Sequence, residues 1–207
     1  MYINPQMMDI IKDCKLIDSG FQGTCYHDDK YVYKLYSNPM QYMDRLDTLG
    51  YPSDLIAFPI ETYTEGNKII GYKMKYFPGT RFEAGMDESA KLDDIKKAYS
   101  EIKSEVKNFE QFEMGDLCYA NVLFDNKRFY IIDTDRWELN YKYIYNITML
   151  NESINYGLVN SLSREYYSQL IGNLRYPVDG MIDEMIWMYH AIYGENPETI
   201  GDFKKKI

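Results

Sequence analysis

The first third of the chain is dominated by short apolar runs that alternate with polar residues. Alternation with a period of two is typical of half-buried β-strands, and clusters of Gly, Asp and Asn between the runs indicate turns. The pattern predicts strands at 15–17, 24–26, 31–36, 56–60 and 68–77. In the third strand, Lys34 shares a face with Val32 and Tyr36, since alternate side chains point the same way.

Helical spacing replaces this alternation later in the chain. An apolar stripe every three or four residues predicts a helix over 89–109, and a Ser-Asn-Pro start followed by apolar residues to Gly50 predicts one after Ser37. Further helices are predicted over 143–162, 163–174 and 181–193. The last is apolar on nearly all sides, so we expect its methionines and Trp187 in a core.

Between these regions lies a predicted hairpin with acidic residues at both ends. The apolar runs 122–124 and 129–132 flank Asp125-Asn126-Lys127, which predicts a tight turn. Asp116 and Asn121 precede the hairpin, and Asp133 follows its second strand. Phosphoryl transfer needs such groups: one carboxylate to orient the attacking hydroxyl, and an Asn and a second Asp to hold a metal on the phosphates.

Composition narrows the possible functions. The chain has 207 residues, 45% hydrophobic and 27% charged, with a net charge of −9. The acidic balance argues against a broad nucleic-acid interface. The three cysteines form no CxxC pair, which favours a reducing compartment. No signal peptide or membrane-spanning run is recognisable, so we expect a cytoplasmic protein without a membrane partner.

The catalytic-loop pattern resembles that of the protein-kinase-like superfamily, which includes eukaryotic-type protein kinases and aminoglycoside-type phosphotransferases. Asp116-Leu117-x-x-x-Asn121 is similar to its catalytic loop, and Asp133 falls where its metal-binding acid would lie. The resemblance implies an α+β, bilobal protein-kinase-like fold, with a small antiparallel β N-lobe and a mainly helical C-lobe. The lobes would span about 1–77 and 81–207, joined by a hinge at about 77–80.

The resemblance also implies a set of functional residues. Asp116 would be the catalytic base, Lys34 would bind the ATP phosphates, and Asn121 and Asp133 would hold Mg²⁺. A G-x-x-G turn precedes Lys34, and its glycines allow close approach of a ligand to the backbone. The implied ATP-binding positions are Gly20, Phe21, Gln22, Gly23, Lys34, Tyr76 and Phe77.

The sequence also departs from the family pattern. Met114-Gly115 replaces the His-Arg before the catalytic acid, and Asp135 replaces the glycine after the metal-binding acid. At both positions, the residue in this chain is similar to the one that small-molecule phosphotransferases carry. No Glu lies between Lys34 and Gly50, where the family places the acid that pairs with this lysine. Asp44 or Asp47 could replace it, or the pair could be absent.

Three functions are compatible with these features. The first is an ATP- and magnesium-dependent phosphotransferase with a hydroxyl acceptor, preferably a protein Ser or Thr rather than a small molecule. The second is a catalytically silent pseudokinase that binds nucleotide or protein. The third is a nucleotide-sugar transferase that holds a metal diphosphate with Asp133 and Asp135. For Asp135 a structural turn residue is an equal alternative to a metal ligand, and Arg136 is expected in a structural ion pair.

Overall fold

The structure is a computed structural model that describes residues 5–37, 46–81 and 85–204. It consists of two compact units. The sheet unit comprises Met1–Phe77 together with Asp133–Arg136, and the helical unit comprises Pro78–Ile132 and Trp137–Ile207. The antiparallel sheet in the N-terminal part and the helices in the C-terminal part confirm the predicted α+β class.

Where the structure describes the sheet unit, it shows one helix and a five-stranded antiparallel sheet with the strand order β1-β2-β3-β5-β4. The elements are α1 (Pro5–Ile11), β1 (Lys15–Ser19), β2 (Gly23–His27), β3 (Tyr31–Tyr36), β4 (Pro59–Glu65) and β5 (Lys68–Lys75). Strand β3 lies at the centre, paired with β2 on one side and β5 on the other.

The two faces of β3 differ, as the alternation predicts. Tyr33 and Leu35 pack with Met7, Ile11 and Ile70 in a buried hydrophobic cluster that joins α1 to the sheet. Lys34 points to the opposite face, because successive side chains of a strand alternate.

Two predictions in the sheet unit need correction. The helix expected after Ser37 falls largely on 38–45, which lie outside the described residues, and 47–50 form a turn rather than a helix. Gly50 has a φ of 83°, a value that favours glycine. Strand β4 begins at Pro59 rather than Ile56 and continues through Glu65. The apolar run 55–58 is buried outside a strand, and burial alone makes such a run resemble one.

Among its described residues, the helical unit has four α-helices and two small sheets. Its helices are α2 (Leu92–Asn108), α3 (Tyr143–Asn160), α4 (Arg164–Leu170) and α5 (Val178–Tyr193), with short 3₁₀ turns at Tyr119–Asn121, Ile171–Asn173 and Ile200–Lys204. Its strands are β6 (Thr80–Arg81), β7 (Phe112–Glu113), β8 (Val122–Phe124), β9 (Phe129–Ile131) and β10 (Glu138–Leu139). β6, β8 and β9 form one sheet, and β7 and β10 form the other. The two-residue strands are too short to produce a recognisable period.

Helix α2 buries the predicted stripe, but the expectation for Trp187 in α5 is wrong. Met181, Met185 and Met188 are buried, whereas Trp187 is 70% exposed. Two residues advance a helix by about 200°, so Trp187 lies opposite Met185. An almost uniformly apolar helix gives no internal signal for which side faces water. Within the described ranges, no helix is long and apolar enough to span a membrane.

Gly23 and Gly20 provide a matched test of how β2 packs on β3. A Cβ at Gly23 would overlap the carbonyl oxygen of Leu35 and lie 3.0 Å from its carbonyl carbon, whereas a Cβ at Gly20 would meet nothing within 4 Å. We expect Gly23→Ala to lower the free energy of unfolding by about 1–3 kcal/mol, because the backbone of β3 must move. Gly20→Ala should change it by less than about 0.5 kcal/mol. Urea titration followed by circular dichroism measures both, and equal stabilities would contradict the close β2–β3 approach.

Candidate functional site

Lys34 lies at the centre of the site in the sheet unit. Its side chain is 5% exposed, and its ammonium forms ion pairs with Asp133 and with Asp135, at 3.2 Å from Asp135 Oδ2. It also donates to Gln22 Oε1 at 3.3 Å. Asp133 is 99 positions away in the sequence. The structure therefore brings together Lys34, expected to bind phosphate, and Asp133, expected to bind the metal.

The segment that carries both acids is fixed to the sheet unit by hydrogen bonds. Thr134 Oγ1 donates to Ala57 O at 3.1 Å, and Thr48 Oγ1 donates to Thr134 O at 3.1 Å. Asp133 has a φ of 63°, which is uncommon for a residue with a side chain. This conformation is typical of functional sites where the surroundings hold the backbone in place.

Two tyrosine hydroxyls donate hydrogen bonds to these acids. Tyr36 OH donates to Asp135 Oδ2 at 2.6 Å, and Tyr72 OH donates to Asp133 Oδ1 at 3.3 Å. Tyr36 and Lys34 share a face of β3, as the alternation predicts, and Tyr72 lies opposite Lys34 on β5. Burial, together with the charge of Asp135, raises the pKa of both hydroxyls, so they remain protonated donors.

One ammonium faces two carboxylates, and this imbalance sets their protonation. Burial opposes the charge on Lys34, but the two carboxylates outweigh burial and raise the pKa of its ammonium. Burial also disfavours ionisation of Asp133, yet the charge and hydrogen bond of Lys34 lower the pKa of that carboxyl. Burial and the negative charge of Asp133 raise the pKa of Asp135, despite the attraction of Lys34. Lys34 is therefore held charged, with Asp133 as its ionised partner.

The G-x-x-G turn joins β1 to β2 next to this cluster. Gly20 N donates to Gly23 O at 2.9 Å and closes the turn, while Ser37 N donates to Gln22 O at 3.0 Å. Phe21 at its tip is 90% exposed. Of the four predicted ATP-binding residues in this turn, Gln22 is the one whose side chain contacts Lys34.

The predicted adenine-binding residues follow β5. Tyr76 N donates to Lys30 O at 3.0 Å, so this amide is already used within the sheet unit. The Tyr76 ring stacks on His27 at 4.8 Å between ring centroids. Phe77 is buried beneath the ammonium of Lys75. The carbonyl group is therefore the part of the Tyr76 backbone that is left to contact an adenine.

The helical unit carries the other two predicted residues on one ordered loop. Asn121 Nδ2 donates to Asp116 O at 2.8 Å, and Leu117 N donates to Met114 O at 3.1 Å. Met114 N in turn donates to Asn146 Oδ1 at 2.9 Å. The side chain of Leu117 is buried and anchors the loop, while Asp116 beside it is half-buried. Because Asn121 follows Asp116 by five residues, its side-chain amide reaches the Asp116 carbonyl and closes the loop.

The hairpin after this loop forms as predicted. Asn126 has a φ of 70°, and the Asp125 carboxylate accepts bonds from Lys127 N and Arg128 N. Ile132 N donates to Asn121 O at 2.9 Å, which ties the end of the second strand to the loop that precedes the hairpin.

The donor types present fit a magnesium ion. Asn121 uses its amide nitrogen for Asp116 O, which leaves its carbonyl oxygen as a hard ligand. The Asp133 side chain is 26% exposed, against 1% for Asp135, so Asp133 is the acid with access to a ligand. Over the described ranges, no group of three or more His, Cys, Asp or Glu side chains is arranged to hold a metal. Magnesium on a nucleotide needs fewer protein ligands, because phosphate and water oxygens complete its shell.

Two acids that were not considered as partners of Lys34 pair with it in the structure. Asp44 lies outside the described residues, and within the described part of the chain the acids that contact the Lys34 ammonium are Asp133 and Asp135. Asp135 lies in a turn, which is one of the two alternatives expected for it, and its side chain also contacts Lys34. This contact depends on where the segment packs against the sheet, which local periodicity does not report.

We expect Lys34→Met to lower the free energy of unfolding by about 3–5 kcal/mol, because the substitution leaves the buried Asp135 and the half-buried Asp133 without their cation. Lys15→Met is the matched control: Lys15 pairs with Asp29 at 3.3 Å, but both side chains are exposed. Its loss should cost less than about 1 kcal/mol. Urea titration at neutral pH compares the two, and a Lys34→Met protein as stable as Lys15→Met would contradict the buried ion-pair assignment.

Comparison with known proteins gives distant structural similarity alone. No protein-family model matches the sequence, and no curated protein matches it. Among solved structures, the chain is similar to one described as Legionella pneumophila Lpg2603 kinase bound to IP6. The similarity covers 89% of this chain and 71% of that chain, with 12% identical residues and a TM-score of 0.40. At that distance no residue role is transferred, and the contacts within each unit are the basis for the function proposed below.

Proposed function

We propose that the protein is an ATP- and magnesium-dependent phosphotransferase that moves the γ-phosphate of ATP to a hydroxyl acceptor. The observation that carries this proposal is the contact between Lys34 and Asp133. A buried, charged lysine in the central strand and a partly exposed carboxylate beside it match what a metal–triphosphate requires. The lysine attracts phosphate oxygens, and the carboxylate supplies a metal ligand.

In this proposal the sheet unit binds the nucleotide. Lys34 binds phosphate oxygens, and the turn from Gly20 to Gly23, with Phe21 and Gln22 between them, covers the phosphates. The backbone around Tyr76 and Phe77 receives the adenine. Asp133 and Asn121 hold magnesium, which offsets the charge that develops on the transferred phosphate.

Asp116 acts as the base that orients the acceptor hydroxyl. A carboxylate performs this role through hydrogen-bond reach, and the ordered loop supplies the necessary rigidity. The bond from Asn121 Nδ2 to Asp116 O fixes the backbone of the base and the amide of the metal ligand with a single contact. Asn121 therefore serves both geometry and metal binding.

The proposed acceptor is a Ser or Thr hydroxyl of a protein rather than a small molecule. Helices α2, α3 and α5 pack against one another, and each contributes apolar residues to the core of the helical unit. These three helices therefore serve as framework and not as a separate cover for a small substrate. A polypeptide segment needs no such cover.

The Asp135 contacts weigh against a nucleotide-sugar transferase. That function requires both acids of Asp133-Thr134-Asp135 to face a metal diphosphate. The Asp135 side chain is buried, and its oxygens accept bonds from Lys34 and Tyr36. A pseudokinase would bind the nucleotide but would not transfer phosphate. Lys34, Asp116 and Asp133, which the proposed transfer uses, are all present.

Incubation with γ-labelled ATP, magnesium and a mixed protein acceptor tests the proposal. We expect label transfer or ATP hydrolysis by the wild type and a loss of at least about 100-fold in Asp116→Asn, since general-base catalysis contributes about that much. ATP binding by this variant should be unchanged. Asp183→Asn is the control, because Asp183 pairs with Lys96 on the exposed surface of the helical unit.

The possible outcomes separate the functions. Magnesium-dependent ATP binding without transfer or hydrolysis would identify the protein as a silent pseudokinase. Absence of ATP binding would overturn the nucleotide-dependent proposal. Equal activity in Asp116→Asn and wild type would remove Asp116 from the mechanism.

A further inference from the structure

Asp135 is more completely enclosed than a metal-binding acid should be. Its side chain is 1% exposed, against 26% for Asp133 two residues earlier. Its Oδ2 accepts from Tyr36 OH at 2.6 Å and from Lys34 Nζ at 3.2 Å, and its Oδ1 lies 3.3 Å from the same ammonium. Both oxygens therefore face groups of the protein.

The segment around Asp135 is built to hold it still. Thr134 bonds to Ala57 O through its hydroxyl and receives a bond from Thr48 through its carbonyl. Tyr36 lies two positions after Lys34 on β3, so the donor to Asp135 and the cation beside it come from the same strand face. The carboxylate is thus fixed from its own backbone and from the strand that carries the lysine.

Asp133 cannot supply this fixed support while it binds a ligand. It is the more exposed acid, and its Oδ1 already accepts from Lys34 and Tyr72. When Asp133 turns an oxygen to a metal, its hold on the ammonium weakens. The fully buried Asp135 keeps its contacts, because it has no access to the ligand.

We propose that Asp135 is the positioning residue for Lys34. Asp135 and Tyr36 hold the ammonium so that it faces the phosphates, and Asp133 remains available for the metal. This inference rests on the proposed nucleotide-binding function and assigns a role within that site.

Asp135→Asn and Tyr36→Phe test the inference. Asn has the shape of Asp and can still accept from Tyr36, while Lys34 keeps Asp133 as a partner, so the variant should fold. The control is Asp54→Asn, which removes an Asp–Lys pair of 2.6 Å on the surface of the same unit. Calorimetry measures the affinity of each protein for ATP with magnesium and for adenosine. Melting temperature reports folding.

We expect Asp135→Asn to weaken ATP binding at least tenfold and to leave adenosine binding within twofold of the wild type, because the ammonium meets phosphate and not the nucleoside. In the labelled transfer assay it should raise the KM for ATP and lower kcat, whereas a smaller folded fraction would lower kcat alone. Tyr36→Phe should act in the same direction with a smaller effect. Asp54→Asn should match the wild type in every measurement.

Three results would overturn the inference. Asp135→Asn could bind ATP as tightly as the wild type, or it could lose ATP and adenosine equally, which would indicate general damage to the sheet unit. In both cases the proposed function would stand if the wild type binds and transfers phosphate. A wild type that binds no ATP would overturn the proposed function and, with it, this role for Asp135.

Discussion

The buried ammonium of Lys34 is the constraint on which the sheet unit depends. A lysine in the interior is tolerated only with nearby carboxylates, because desolvation of an unpaired charge costs several kcal/mol. Both carboxylates come from Asp133 and Asp135, far along the chain. Asp133–Arg136 therefore belong to the sheet unit, although the residues before and after them in the sequence belong to the helical unit. The two acids thus lie in the same unit as the lysine whose charge they neutralise.

Packing and hydrogen bonds hold the polar residues of each unit in place. The face of β3 opposite Lys34 packs on α1, and this packing fixes the strand. Tyr36 and Tyr72 supply hydroxyl donors to the acids, and Thr134 anchors their backbone. In the helical unit, a hydrogen bond from Asn121 closes the loop that carries Asp116. Each unit therefore holds its own polar residues in place through hydrogen bonds and packing within that unit, a condition that the proposed electrostatic catalysis requires.

Local periodicity was enough to predict much of this arrangement. The alternation in β3 placed Lys34 and Tyr36 on one face, and the Asp125-Asn126-Lys127 turn followed from the chemistry of Asp and Asn. The Lys34–Asp135 pair could not be predicted, because it depends on where a distant segment packs. The exposure of Trp187 also depends on tertiary packing, since the helix around it is apolar on most sides. The start of β4 was misplaced because a buried loop and a buried strand have the same composition.

The dependence of ATP affinity on magnesium tests the central claim most directly. If Lys34 and Asp133 form one phosphate and metal site, magnesium and ATP must strengthen each other's binding, since such coupling is reciprocal. Calorimetric titration of the wild type with ATP should give at least tenfold tighter binding in magnesium than in a chelator. Asp133→Asn should lose this difference while it still binds adenosine. Equal magnesium dependence in the variant and the wild type, or no ATP binding by either, would contradict the account.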